Sequence, residues 1–412
     1  MTQTIRARCC IAGGGPAGMM LGFLLARAGV DVVVLEKHAD FLRDFRGDTV
    51  HPSTLELMYE LGLLQEFLQR PHQEVGVLIG IVGGTRVPIA DFSHVPTHCK
   101  FIALMPQWDF LNFLAEQGRR YPTLRVLMES EVTGLIDAGD RIAGVQATTP
   151  DGPVEIRADL VVGADGRHST VRARAGLAVH DLGAPIDVLW MRLPKHSGDI
   201  GGAALGRFDA GRILVTLDRG DYWQCASVIP KGGYDALRAR GLQALRDDVA
   251  AAAPDLADRV GALQSWDDVK LLTVRVDRLR EWYRPGLLCI GDAAHAMSPV
   301  GGVGINLAVQ DAVAAANILA EPLRSGTLNA RHLAAVQRRR MLPTRITQAL
   351  QVFAQNRIII GVLRSTAPTK VPLLLRVVGK FPFLRRIPAR VVGVGFRPEH
   401  VRTPEIATPR SA

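Results

Sequence analysis

The first forty residues are apolar almost throughout, interrupted by glycine. RARCCIA runs apolar to Ala12, GGGPAG follows, MMLGFLLARAG is apolar at nearly every position, and Val32 to Leu35 close the stretch before Glu36. A short apolar run bounded by glycine reads as a strand buried on both faces, and a longer one behind a proline reads as a helix. The pattern predicts a strand ending at Ala12, a helix from Pro16 to Ala28 closed by Gly29, and a second strand over 32–35. Farther on, TLRVLMESEVTGLIDAGDRIAGVQATTPDGPVEIRADLVV alternates apolar and polar residues around AGD and PDG turns, which predicts a small antiparallel meander. The segment EVGVLIGIVGGTRVPIADFSHVPTHCKFIALM and the runs IDVLWMRLP, RILVTLD and YWQCASVIP are also strand-rich. Helices are predicted at 234–253, at 308–320 and through RHLAAVQRRRMLPTRITQALQVFAQNRIIIGVLRS, and Ser53 with Glu56 reads as a capping box for TLELMYEL.

This order predicts a mixed α/β fold that opens on a Rossmann-like unit, carries two strand-rich insertions and ends in a helical C-terminus. The expected boundaries are 1–74, 106–183 and 274–340 for the discontinuous Rossmann-like domain, 75–105 and 184–273 for the strand-rich insertions, and 341–412 for the helical, basic end.

The net charge of +9 leaves most of the chain mixed in sign, because the excess gathers between Lys370 and Arg402. That segment is expected to be an amphipathic cap docked on the body, with weak contact to anionic lipid as the alternative. Charge alone does not make a nucleic-acid partner, and no stacking motif or basic helix accompanies it. Cys9, Cys10, Cys99, Cys225 and Cys289 show no paired metal spacing, the N-terminus enters a strand at once, and no apolar run reaches the ~20 residues of a membrane span. A cytoplasmic protein is expected.

Gly13, Gly15 and Gly18 supply G-x-G-x-x-G between strand and helix. The first permits a tight turn, the second lets backbone approach a pyrophosphate with Ala17 beside it, and the third lets helix pack on strand. The helix N-terminus offers unpaired N–H groups and partial positive charge to phosphate. Glu36, followed by Lys37, ends the second strand where a ribose 2′-OH would be held, which favours FAD or NAD over NADP as the tightly held ligand. Two more apolar strands end in acidic turns, Leu160 to Gly163 before Ala164-Asp165-Gly166 and Leu287 to Ile290 before Gly291-Asp292. Ligands of open α/β sheets collect beyond the carboxyl ends of strands, so three strand ends would face one crevice. His295 lacks partners at metal-ligand spacing and Ser298 lacks a G-x-S-x-G elbow, so neither a metal nor a serine nucleophile is expected.

With GGGPAG, GADGRHSTVR, GDAAHAMSPVGGVGINLAVQD, and FRGDTVHPSTLEL with MPQWDFLNFL, roughly residues 5 to 320 resemble the aromatic-hydroxylase-like class of FAD-dependent monooxygenases, similar to p-hydroxybenzoate hydroxylase and phenol hydroxylase. The resemblance implies FAD as cofactor, NADPH or NADH as transient reductant, and a flavin C4a-hydroperoxide that hydroxylates an aromatic, phenolic or polycyclic molecule with O2. It implies that Asp292 and Gly291 meet the flavin ribitol, that Asp165 lies near the pyrophosphate, and that Arg46 and Gln107 contact FAD from the sides. Pro299, at the reacting face, and Gly302, Gly304, Ile305 and Asn306 would line the isoalloxazine. Asp48 matches a catalytic aspartate of phenol hydroxylases, or else orders its loop; the resemblance implies that the two insertions form an inserted antiparallel β-sheet substrate domain over the flavin of the FAD-binding domain, and Arg192, Tyr222 and Gln224 are substrate candidates on its strands. A flavin dehydrogenase or reductase, a membrane-surface quinone or lipid hydroxylase, a flavin halogenase and a non-catalytic scaffold stand as alternatives. Substrate identity and oligomeric state stay open.

Overall fold

A computed structural model describes residues 3–42, 49–199 and 204–406 of the chain. The strand Gln3–Ala12 lies between Gly152–Gly163 and Val32–Leu35, and Leu287–Cys289 and Leu124–Leu127 extend the sheet outward, all parallel. The register places Leu35, Ala12, Gly163 and Cys289 in one row. One step beyond that row, the N–H groups of Gly13 and Ala164 donate to Leu35 O and Ala12 O at 2.8 Å, and that of Ile290 to Gly163 O at 2.9 Å. Three turns therefore leave the sheet at one height. The Pro16–Arg27 helix packs against the sheet and against the helices Gly304–Ser325 and Gln107–Gly118, and this cover explains why the parallel strands carry continuous apolar runs. Gly18 makes that approach possible: a Cβ there would lie 1.9 Å from Gly13 O.

A second, seven-stranded sheet runs Lys270–Leu272, Ile186–Pro194, Tyr222–Pro230, Arg212–Asp218, Ala204–Asp209, Val77–Val82, Thr85–Asp91. One of its faces, through Leu189, Met191, Leu193, Leu214, Trp223 and Cys225, is buried under helices of the 234–262 region. The opposite face carries Val188, Trp190, Ile213, Val215 and Ala226, and meets Val300, Ile359 and Val362.

The structure departs from the sequence pattern in several places. Leu124–Leu127 pairs parallel with Val32–Leu35, so the meander comprises only the strands from Glu131 to Gly163. The segment 75–105 divides: its hairpin joins the seven-stranded sheet, whereas Ile102–Leu104 pairs with Thr49–Val50 and Gln73–Val75. The helix expected over 234–253 is two helices, Tyr234–Ala239 and Leu242–Ala252, broken at Gly241 with φ +89°. Ser53 and Glu56 form no capping box, because Pro52 starts the helix two residues earlier and the Glu56 carboxylate accepts from the His98 N–H and meets its Nδ1 instead. The helix expected over 308–320 runs from Gly304 to Ser325, and the next, Ala330–Phe353, passes straight through position 340. The stretch 300–325 is, contrary to expectation, long and apolar enough to cross a membrane, yet 78% of its most apolar window is buried within the fold.

That buried helix carries a charge. Asp311, fully buried, accepts from the Gly291 N–H at 3.1 Å and from Arg340 Nε at 2.9 Å, and meets His295 Nε2 at 2.5 Å. Burial pushes its carboxyl up, but His295 and Arg340 outweigh that and hold it below the usual carboxylate range. Arg340 continues to Glu399 at 3.4 Å, so the C-terminal segment is tied to the same centre. Removing one partner of such a cluster strands a buried charge, at a cost of about 3–5 kcal/mol. Asp311→Ala is therefore expected to lower unfolding free energy by that amount in denaturant titration, and Asp311→Leu combined with Arg340→Met to recover part of it.

Candidate active site

Gly15 is the N-cap of the Pro16–Arg27 helix, which has no side-chain cap and no acid in its first turn. A Cβ on Gly15 would meet none of the described residues within 4 Å, whereas one on Gly13 (φ +103°) would lie 2.4 Å from Ala164 O. Ala17 and Gly18 are buried in the first helical turn, and Lys37 is exposed beyond the second strand. Glu36 is buried and braces the turn, its carboxylate accepting from the Gly14 N–H at 3.0 Å and the His38 N–H at 3.1 Å.

At the second turn Asp165 accepts from the Ser169 hydroxyl at 2.5 Å and the Val171 N–H at 3.0 Å, so it organises its own entry into the Thr170–Arg174 helix. Burial raises its carboxyl pKa against the pull of those bonds. Arg167 reaches Asp292 at 3.5 Å, and the buried Arg172 guanidinium spans Asp277 at 3.4 Å and Ala293 O at 3.5 Å. The second and third turns are thereby cross-linked.

The third turn runs through Gly291, whose φ of +58° and close approach to Ala17 and Ala308 leave no room for a side chain. After the half-buried Pro299 the chain passes Gly301 and Gly302 in the left-handed region and enters the helix at Gly304. This helix also has no side-chain cap and no acid in its first turn, where Ile305 and Asn306 are buried. Two uncapped helix N-termini of this kind suit a ligand that is anionic at both ends.

Sequence reasoning missed what supports this loop. The Thr49 hydroxyl donates to Gly302 O at 3.0 Å, and the His51 N–H and Thr54 hydroxyl donate to Asn306 Oδ1 at 3.0 and 2.7 Å. His51 Nδ1 lies 2.8 Å from Val392 O, an acceptor, so Nδ1 carries the proton and Nε2 is left as an acceptor. That Nε2 and Asn306 Nδ2 are buried without a partner among the described residues, and Nε2 is 3.5 Å from where a Gly302 Cβ would stand. A buried acceptor and donor left open beside a glycine loop point to a ligand edge or ordered water. The only trace of this in the sequence is a histidine immediately before the helix-starting Pro52.

Arg192, Tyr222 and Gln224 share one face of the seven-stranded sheet by strand alternation, the face of Trp190 and Val215 on which Val300 packs. Arg192 pairs across from Gln224, its guanidinium lies 5.0 Å from the Tyr222 ring centre, and Gln224 Oε1 accepts from Arg219 Nε at 2.7 Å. Gln107, half-buried, begins its helix just after Ile102–Leu104, the strand paired with Thr49–Val50. Arg46 and Asp48 lie outside the described residues. Among the described residues, no group of His, Cys, Asp and Glu is arranged to hold a metal.

Burial lowers the His51 pKa to about 4. The folded value lies below the unfolded one, near 6.5, so the unfolded chain takes up the proton first and stability falls as pH drops from 6.5 towards 4. His51→Asn, which retains a donor for Val392, is expected to flatten that fall by about 3 kcal/mol in denaturant midpoints measured across this window.

Residues 6–350 match the family described as FAD binding domain. A 6-methylpretetramide 4-monooxygenase of Streptomyces rimosus is 35% identical over 385 residues, covering 93% of this chain and 91% of the relative. A dialkyldecalin synthase of Streptomyces rugosporus is 30% identical over 312 residues, 74% of this chain but only 63% of its own length. The solved p-nitrophenol 4-monooxygenase of Pseudomonas putida has the same fold, with a TM-score of 0.74 at 20% identity over 94% of this chain and 97% of that one. The glycine turns aligned at one row of strand ends and the match across 6–350 agree, and the chain belongs to the FAD-binding family of aromatic-hydroxylase-like, FAD-dependent monooxygenases.

Proposed function

We propose that this monooxygenase hydroxylates an aromatic small molecule, phenolic or polycyclic, with O2 as oxygen source and NADPH or NADH as transient reductant. The observation that carries the reading is the sheet face of Trp190, Arg192, Tyr222 and Gln224, on the side where Val300 of the glycine loop packs. Flat aromatic walls suit a ring system, and Arg192 and Gln224 suit its hydroxyl or carbonyl groups. The relative named for 6-methylpretetramide matches along 91% of its length and supports ring hydroxylation; the synthase matches along 63% of its own and supports a shared fold.

The residues fit FAD: among the described residues, the space above Gly15 is open to a diphosphate, and His51 Nε2 and Asn306 Nδ2 wait unpaired beside the loop. FAD, when bound, supplies a hydride acceptor and the transfer of one oxygen atom to the ring. Gly13, Gly15, Ala17 and Gly18 would hold the diphosphate, with Glu36 at the ribose and Lys37 beside it. Asp292, braced by Arg167, would take the ribitol hydroxyls beside Gly291, while Asp165 keeps its turn in shape. Arg46 and Gln107 would flank the cofactor, and Pro299, Gly302, Gly304, Ile305 and Asn306 would offer backbone to a flat ring. The N-terminus of the Gly304–Ser325 helix stabilises negative charge there. Asp48 is assigned the removal of a phenolic proton, which makes the ring more electron-rich. Five free, buried cysteines support a reducing, cytoplasmic setting.

Under 18O2, the hydroxylated product is expected to carry one labelled oxygen, and NADPH or NADH oxidation to accelerate when the right member of an aromatic panel is added; an unlabelled product would move the chain to dehydrogenase chemistry. Asp48→Asn is expected to keep its flavin content and lose about 10²–10⁴-fold in turnover. Unchanged turnover in that variant would remove Asp48 from the mechanism.

A further inference from the structure

Between Glu321 and Glu399 the chain contains no aspartate or glutamate and fifteen arginines and lysines. This +15 against a total of +9 leaves the remainder of the molecule at −6, so the basic character belongs to one stretch. Its last part folds as two short amphipathic helices, Leu373–Lys380 and Arg386–Gly393, joined by the turn Pro382–Arg385. Both are seated by their inner sides: Gly379 lies against the Val87 side chain, and Gly393 lies against Phe92 and Pro52 so closely that a Cβ would stand 2.9 Å from the Phe92 ring. Both helices pack on the edge strand Thr85–Asp91.

The outer side is the opposite of a solvated helix face. Leu373 is 76% exposed, Phe383 60% and Ile387 63%, with Val377 and Phe381 also open. Lys380, Arg386 and Arg390 are exposed among them, and the Lys380 ammonium lies 5.9 Å from the Phe381 ring centre. The enzyme's FAD and substrate chemistry uses none of these side chains.

We infer that the outer side of 373–390 is a docking surface for an anionic lipid bilayer. Large apolar side chains interleaved with cations match the boundary between acyl chains and anionic headgroups, where the former gain by burial and the latter by charge. A second copy of the chain is a poorer occupant, because a two-fold interface sets a patch against itself and would bring these cations together. A purely polyanionic partner would leave Leu373, Phe383 and Ile387 in water. The surface is also one hydrogen bond from the active site, since Val392 O holds His51 beneath the glycine loop. The bilayer would thus place the active site beside a phase in which apolar ring compounds concentrate.

The test is co-sedimentation of the full-length, FAD-loaded protein with phosphatidylcholine vesicles, with and without phosphatidylglycerol. Binding is expected only with phosphatidylglycerol and should weaken with added salt. Lys380→Glu with Arg386→Glu should reduce partitioning at least about thirtyfold. Phe383→Ser with Ile387→Ser should reduce it at least about tenfold. Unchanged flavin content and circular dichroism certify both variants as folded, and Leu373→Ser serves as a milder second probe. No binding by the wild-type protein, equal binding to neutral vesicles, or full binding by the serine variants would each overturn the inference. So would a dimer in light scattering that the serine variants convert to monomer, which would make the face a self-contact.

Discussion

The register of the parallel sheet is the constraint on which the rest of the structure depends. Leu35, Ala12, Gly163 and Cys289 come from positions far apart in the chain, and backbone pairing brings them into one row. A slip of one residue in any pair would turn that strand's side chains over and move its turn along the row. Alignment is what brings three separate glycine turns to one end of the sheet. The close contacts that only glycine permits, Gly18 on Gly13 and Gly13 on Ala164, lock adjacent turns together at the level where the strands end.

The third turn is held from behind by the buried Asp311. It takes the Gly291 N–H on one side and Arg340 on the other, so the third turn, the long C-terminal helix and the segment around Glu399 share one electrostatic centre. On the opposite side Thr49, His51 and Thr54 grip Gly302 and Asn306. The loop is thus clamped between the core of its own domain and a short strand-to-helix element. The same element links the loop to the C-terminal cap through Val392.

Much of this was legible in the residues themselves. Glycine spacing, a proline at the first helical position and four-residue apolar strands announced the Rossmann-like unit, because each reports a local backbone requirement. Glu36, Asp165 and Asp292 were found because acids at strand ends are locally marked. Their partners were not: Asp165 spends its carboxylate on Ser169 and Val171, and Asp292 meets Arg167 across a turn. The Ser53–Glu56 motif misled for the same reason, since His98, forty-two positions away, competes for Glu56.

By itself the sequence determined the local elements, the family and the residue types available at three strand ends, since these follow from short-range periodicity and turn chemistry. Tertiary structure alone decided which residues meet. It divided the 75–105 segment between two sheets, put Arg192, Tyr222 and Gln224 on a common face, and buried the apolar 300–325 helix around an ion cluster. Among the described residues it also left His51 Nε2 and Asn306 Nδ2 open beside the glycine loop. Such outcomes depend on contacts between residues distant in the chain, where burial and hydrogen-bond competition, rather than propensity, set the free energy.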